Sequence, residues 1–184
     1  MKSKIYLLIS IFIISTKLYS QQTGGYWDNE RKTEAFIPLA DGHRTWHRVT
    51  IPVGTTEIIF RVSFLSNASE LRTSLASTLA SVPSVQAQGA AAAINLLDKI
   101  GGSNKGIFHV FRTKEDADTY YNTGKIVNCC YSSVSESPSE KNYFTISNNG
   151  CLTDQTRYLY FAFYNQNMVD DEQVALEVMP WIDN

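Results

Sequence analysis

Glu57-Ile58-Ile59-Phe60-Arg61-Val62-Ser63-Phe64-Leu65 decides the fold class. Ile58, Phe60, Val62 and Phe64 fall on one side of an extended chain, and Ile59, Arg61, Ser63 and Leu65 on the other. A period of two with one wholly apolar side is the pattern of a half-buried strand. It follows Pro52-Val53-Gly54-Thr55, a turn sequence. Similar short runs lie on both sides: Ala35 to Leu39 before Asp41-Gly42, Trp46 to Ile51, Ile107 to Arg112, Ile126 to Tyr131, Tyr143 to Ser147, Arg157 to Tyr164 and Gln173 to Trp181. Polar turns separate the later ones at Ser132 to Lys141, Asn148-Asn149-Gly150 and Asn165 to Asp171. About eight strands so spaced predict a mainly β chain, an antiparallel β-sandwich forming one domain over 34–184.

Between the third and fourth of these strands the period changes. Asn67 with Glu70 has capping-box spacing, and Leu71, Leu75, Leu79 and Val82 follow at helical intervals. Pro83 ends that helix, Ser84 can cap another, and Val85, Ala90, Ala93, Ile94, Leu97 and Ile100 carry it to Gly101-Gly102. The expectation is a helical hairpin over about 67–100. Thr113 and Asp116 start a short helix over about 114–121 that stops near Gly124.

The N-terminus predicts export. Lys2 and Lys4 precede an apolar run from Ile5 to Ile14, and Leu18-Tyr19-Ser20 ends in a small residue, the three parts of a cleavable signal peptide over 1–20, cut near Ser20. The run is too short to span a bilayer, and no stable membrane insertion is expected. The polar residues 21–33, with Gly24-Gly25-Tyr26-Trp27, read as an N-terminal arm or a first edge strand. Loss of Lys2, Lys4 and Lys17 moves the formal charge from −2 to −5, which gives no global attraction to nucleic acid. The expected location is periplasmic or extracellular, where Cys129, Cys130 and Cys151 can oxidise. Adjacent cysteines in a strand face opposite ways, so one of Cys129 and Cys130 meets Cys151; Cys130 is the expected partner, although the pleat by itself leaves Cys129 open.

Catalytic signatures are absent from the sequence: no G-x-S-x-G, no H-E-x-x-H and no phosphate loop. No His lies near the cysteines in sequence. His43 and His47, four apart in turn and strand, are roughly 13 Å from each other and too far to share an ion. Asp170-Asp171-Glu172 reads as a solvated acidic turn. The sequence therefore predicts no enzyme, metal or cofactor, but a binding or interaction module of the cell envelope that contacts a partner protein. Its expected contact surface is the outer face of the hairpin, around Leu71, Leu75, Leu79 and Ile94, whose apolar stripe must be covered by something. The alternative is a sandwich that binds carbohydrate or another small ligand through Trp27, Trp46 or Tyr164, with a hydrolase third.

Ile51-Pro52-Val53-Gly54-Thr55-Thr56-Glu57-Ile58-Ile59-Phe60-Arg61-Val62-Ser63, with Tyr158 to Asn165 and Val174 to Val178, resembles the opening and closing strands of GOLD-like and bacterial pre-peptidase C-terminal sandwiches. The stretch 34–182 is similar to a domain of exported Bacteroidetes proteins. The resemblance implies a non-enzymatic sandwich that contacts ligands or proteins, with no catalytic residue to carry over.

Overall fold

The computed structural model describes residues 24–66, 73–81, 89–96, 106–133, 139–148, 150–166 and 171–183. The described strands are β1 (Gly25–Trp27), β2 (Thr33–Leu39), β3 (Arg44–Thr50), β4 (Thr55–Leu65), β5 (Gly106–Phe111), β6 (Cys129–Ser132), β7 (Ser139–Thr145), β8 (Tyr158–Asn165) and β9 (Glu172–Asp183). The described helices are α1 (Leu75–Ala80), α2 (Gly89–Ala93), which runs on as a 3-10 turn over Ile94–Leu96, and α3 (Lys114–Thr123).

The strands pair as a long antiparallel ribbon bent back on itself: β2 with β9, β3 with β8, β4 with β7 and β5 with β6. Contacts of β4 with β9 and of β5 with β8 then join the ribbon into two sheets, β2-β9-β4-β7 and β3-β8-β5-β6. β1 continues beside the far end of β9. This order is that of a jelly roll, in which successive strands from β2 onward cross between the sheets except at β5–β6, which pair with each other. Two of the crossings turn on glycines at positive φ, Gly42 at 63° and Gly54 at 86°.

The inner faces meet in a core dominated by aromatic rings. Phe60 packs edge-on against Phe161 at 5.3 Å and Phe108 at 6.0 Å, and Phe64 meets Phe163 at 6.4 Å. Cys130 and Cys151 form a disulfide at the margin of this core. A register shift in the β5–β6 ladder decides the pairing: Val110 faces Tyr131 and Phe111 faces Cys129. Cys130 is left as the extra residue of the bulge and turns inward to Cys151, while Cys129 joins a cluster on the outer face.

The expected half-buried character of β4 does not hold. Ile59, Arg61, Ser63 and Leu65 are as buried as the core-facing set, because α1 and α2 cover that face of the sheet. Leu75, Ala76 and Leu79 of α1 and Ala90 and Ala93 of α2 pack on Ile59 and Met179. The small alanine side chains let the second helix lie close to the sheet. Polar residues of β4 hold the two helices in place. Arg61 forms a buried ion pair with Glu177 and donates from Nη2 to the Thr73 carbonyl at 2.6 Å; the other Glu177 oxygen accepts the Leu75 N–H at 2.7 Å. The Glu57 carboxylate accepts the Ala90 N–H. A side chain on Gly89, which lies at a φ of 67°, would collide with that carboxylate.

The described residues of the contact surface expected on the hairpin face the sandwich. Leu75 is 1% exposed and Leu79 3%, and Ile94 is half-buried against the same cluster. The stripe meets its own sandwich because β4 and β9 present apolar residues on both faces. Leu71, the Asn67–Glu70 pair, the Ser84 cap and residues 1–23 lie outside the described residues. Helix α1 is capped by Ser74, whose hydroxyl accepts the Ser77 N–H.

α3 covers the other sheet from outside. The Thr113 hydroxyl accepts the Asp116 N–H at 3.2 Å, and Gly124 ends the helix in the left-handed region. Ala117 and Tyr120 pack on Phe111, Tyr160 and Ala162. β6 begins later than its pattern predicts, and β7 begins earlier, taking in Ser139 to Lys141 from the expected turn.

Candidate functional site

β1 and α1 enclose a cleft of about 350 Å³, lined by Tyr26, Trp27, Asn29, Ala76, Leu79, Ala80 and Met179. Its construction starts at Gly25, where the Trp181 ring lies so close that an added Cβ would approach Cε2 to 2.4 Å. Trp181 donates from Nε1 to Asp183 at 2.9 Å and meets the Trp27 ring edge-on at 5.2 Å. Neighbours on a strand point to opposite sides, and Trp27 is the ring on the helix side, among Leu75, Leu79 and Met179.

The chain then turns sharply. The buried Asp28 carboxylate accepts the N–H groups of Glu30 and Arg31 at 3.1 Å each and pairs with the Arg31 guanidinium. Asp28 itself donates to the Pro180 carbonyl at 2.9 Å. This corner brings Asn29 to the cleft wall. The rest of the lining is apolar: Met179 from β9, and Ala76, Leu79 and Ala80 from α1. Among the described residues no charged side chain lines the cleft, which suits an uncharged group. A polyhydroxylated ring would leave hydroxyls unsatisfied against this aliphatic floor.

Two of the residues expected to form a site, Trp27 and Leu79, are brought together here. Trp46 and Tyr164 lie elsewhere, on the outer face of the second sheet. Trp46 donates from Nε1 to Asp118 at 3.1 Å and packs edge-on against Tyr160, with the Lys114 ammonium 5.2 Å from its ring. Tyr164 carries the Arg44 guanidinium 4.5 Å over its ring. Met179 and Asn29 are not singled out by the sequence. Their signal is indirect: an alternating Met in a final strand, and an Asp28-to-Arg31 spacing that marks a corner.

The fold also assembles a cluster that the linear sequence hides. The β5–β6 ladder sets His109 opposite Ser132, with Nδ1 2.8 Å from the hydroxyl, and the Cys129 thiol is 3.4 Å from that same hydroxyl. His109 is buried beneath the Tyr120 ring at 4.7 Å, and burial pushes its pKa down to about 4. A base that far below neutrality is a poor proton acceptor for either nucleophile. The arrangement is a hydrogen-bonded link between strands.

Among the described residues no group of three or more His, Cys, Asp and Glu side chains is placed to hold a metal ion. Asp171 accepts the Asp41 N–H at 3.2 Å, and Asp170 lies outside the described residues. No described helix is long and apolar enough to cross a membrane.

No family model matches the chain, and no curated protein matches it. Among solved structures it is similar to a chain in a crystal structure of tomato aspermy virus, with 12% identity and a TM-score of 0.41, over 98% of this chain and 95% of that one.

Proposed function

We propose that this chain is an exported, non-enzymatic binding module whose seat is the cleft between β1 and α1, and that an apolar side chain of a partner protein fills it. The cleft itself carries the reading: Trp27, Leu79 and Met179 bound a volume within the ordinary range of ligand sites, with one amide, Asn29, to orient what enters. Export is supported by the three-part leader at 1–20 and by the disulfide. A protein is favoured over a free small molecule by Phe36, 48% exposed. It is on the same outer face as Trp27; their β9 partners Ala175 and Trp181 are roughly 20 Å apart along the strand. Two apolar anchors at that separation match an interface better than a small ligand.

The second reading is a small uncharged ligand, for which Trp27 and Asn29 together in the lining are the supporting observation. The test is co-purification of residues 21–184 from the native envelope fraction beside an Ala80→Trp variant, which fills the cleft from the exposed end of α1. A stoichiometric partner retained by the native chain and lost by the folded variant supports the module. A partner retained equally by both removes the cleft from the account, and no partner with either shifts the weight to small ligands.

A further inference from the structure

Among the described residues β3 is the outermost strand of its sheet, paired on one side only. Asn165 N–H donates to the His43 carbonyl, and Ile51 N–H donates to the Arg157 carbonyl. Antiparallel pairs alternate, so Thr45, His47 and Val49 exchange hydrogen bonds with β8. The N–H and C=O groups of Arg44, Trp46 and Arg48 therefore point away from the sheet along an open edge.

The same three residues share one face. Arg44 lies over Tyr164 at 4.5 Å, Arg48 over Tyr158 at 4.9 Å, and Lys114 brings a third cation over Trp46 at 5.2 Å. Among the described residues neither arginine forms an ion pair, although the chain as a whole is acidic. Of the carboxylates on α3, Asp118 is taken by Lys114 and by the Trp46 indole, Asp116 by the Thr113 hydroxyl and Asn128, and Glu115 lies near Lys114. Stacking on tyrosine holds each guanidinium while leaving charge uncompensated; Arg48 and Tyr158 are both exposed.

Charged side chains on an edge strand ordinarily discourage pairing with other chains. Cations of one sign discourage neutral and basic strands but attract an acidic one. We infer that β3 is an interaction edge for an extended acidic segment of a partner protein. The segment adds as a further strand, bonding to the outward backbone groups of Arg44, Trp46 and Arg48 and setting carboxylates beside Arg44 and Arg48, which are roughly 13 Å apart. This edge belongs to the other sheet from the Trp27 cleft, and the inference stands independently of the cleft.

The test uses residues 21–184 and a fluorescein-labelled nonapeptide of alternating threonine and glutamate, with a threonine–lysine nonapeptide as control. Anisotropy is read at low and moderate salt and backbone amide exchange by NMR. The expected result is binding of the acidic peptide alone, weakened by salt and at least tenfold weaker in Arg48→Glu, with the amides of Arg44, Trp46 and Arg48 gaining protection. Arg48 is exposed, so that variant is expected to fold, which circular dichroism checks. Absence of binding, equal binding of the lysine peptide, or no effect of Arg48→Glu overturns the inference. Binding without amide protection points to a polyanion seat, and concentration-dependent dimers that protect the same amides point to a second copy; either also overturns it.

Discussion

Glu177 accepts from two directions at once: the Arg61 guanidinium beneath it and the Leu75 N–H at 2.7 Å above it. All of these groups are out of water, so the carboxylate ties the first turn of α1 to the sheet. Glu177→Ala leaves an uncompensated buried arginine and an unsatisfied helix N–H, and should cost about 3–5 kcal/mol. Arg61→Met with Glu177→Leu should recover much of that loss. Urea unfolding of the single and double variants checks both statements.

Leu75 and Leu79 carry packing between α1 and the sheet. Leu75→Ala should destabilise the fold by about 2–5 kcal/mol. Leu79→Ala should do the same while also enlarging the cleft floor. A stability change within a few tenths of a kcal/mol by urea unfolding would mean that the hairpin does not pack as described.

His109 gives a pH dependence of defined sign. Its native pKa is about 4, lowered by burial, against an unfolded value near 6.5. Between those values the unfolded chain binds more protons, so stability rises with pH. The contribution is complete above about pH 6.5 and is lost as pH falls toward 4, amounting to a few kcal/mol at most. His109→Asn should flatten the unfolding free energy in that window relative to native, and the His109 imidazole resonance should not titrate above pH 5.

One thiol per native chain should react with Ellman's reagent once access is given by mild denaturation, because Cys130 and Cys151 are joined and Cys129 is not. Cys151→Ala should cost about 2–4 kcal/mol by removing the crosslink. Cys129→Ser should change stability far less.

The sandwich was legible because Glu57 to Leu65 and its counterparts alternate, and an alternating run has few other solutions. α3 was legible because Thr113, Asp116 and Gly124 mark both of its ends. What the sequence did not reveal was depth. Ile59 and Leu65 look like the outer half of a half-buried strand, and only the covering helices make that face a second core. For the same reason Leu75 and Leu79 looked like a surface for a partner. The cleft was half visible, in Trp27 and Leu79, but its walls come from β1, α1 and β9, more than 150 residues apart along the chain from Tyr26 to Met179. The His109–Ser132 contact was invisible because it depends on strand register.

The cleft as an apolar seat is tested most directly by titrating residues 21–184 with N-phenyl-1-naphthylamine, an uncharged apolar fluorophore, and following energy transfer from tryptophan. One saturable site, lost in Ala80→Trp and weakened at least tenfold in Trp27→Ala with both variants folded, is the predicted result. Binding unchanged by both substitutions, or no saturable binding by the native chain, would contradict the account.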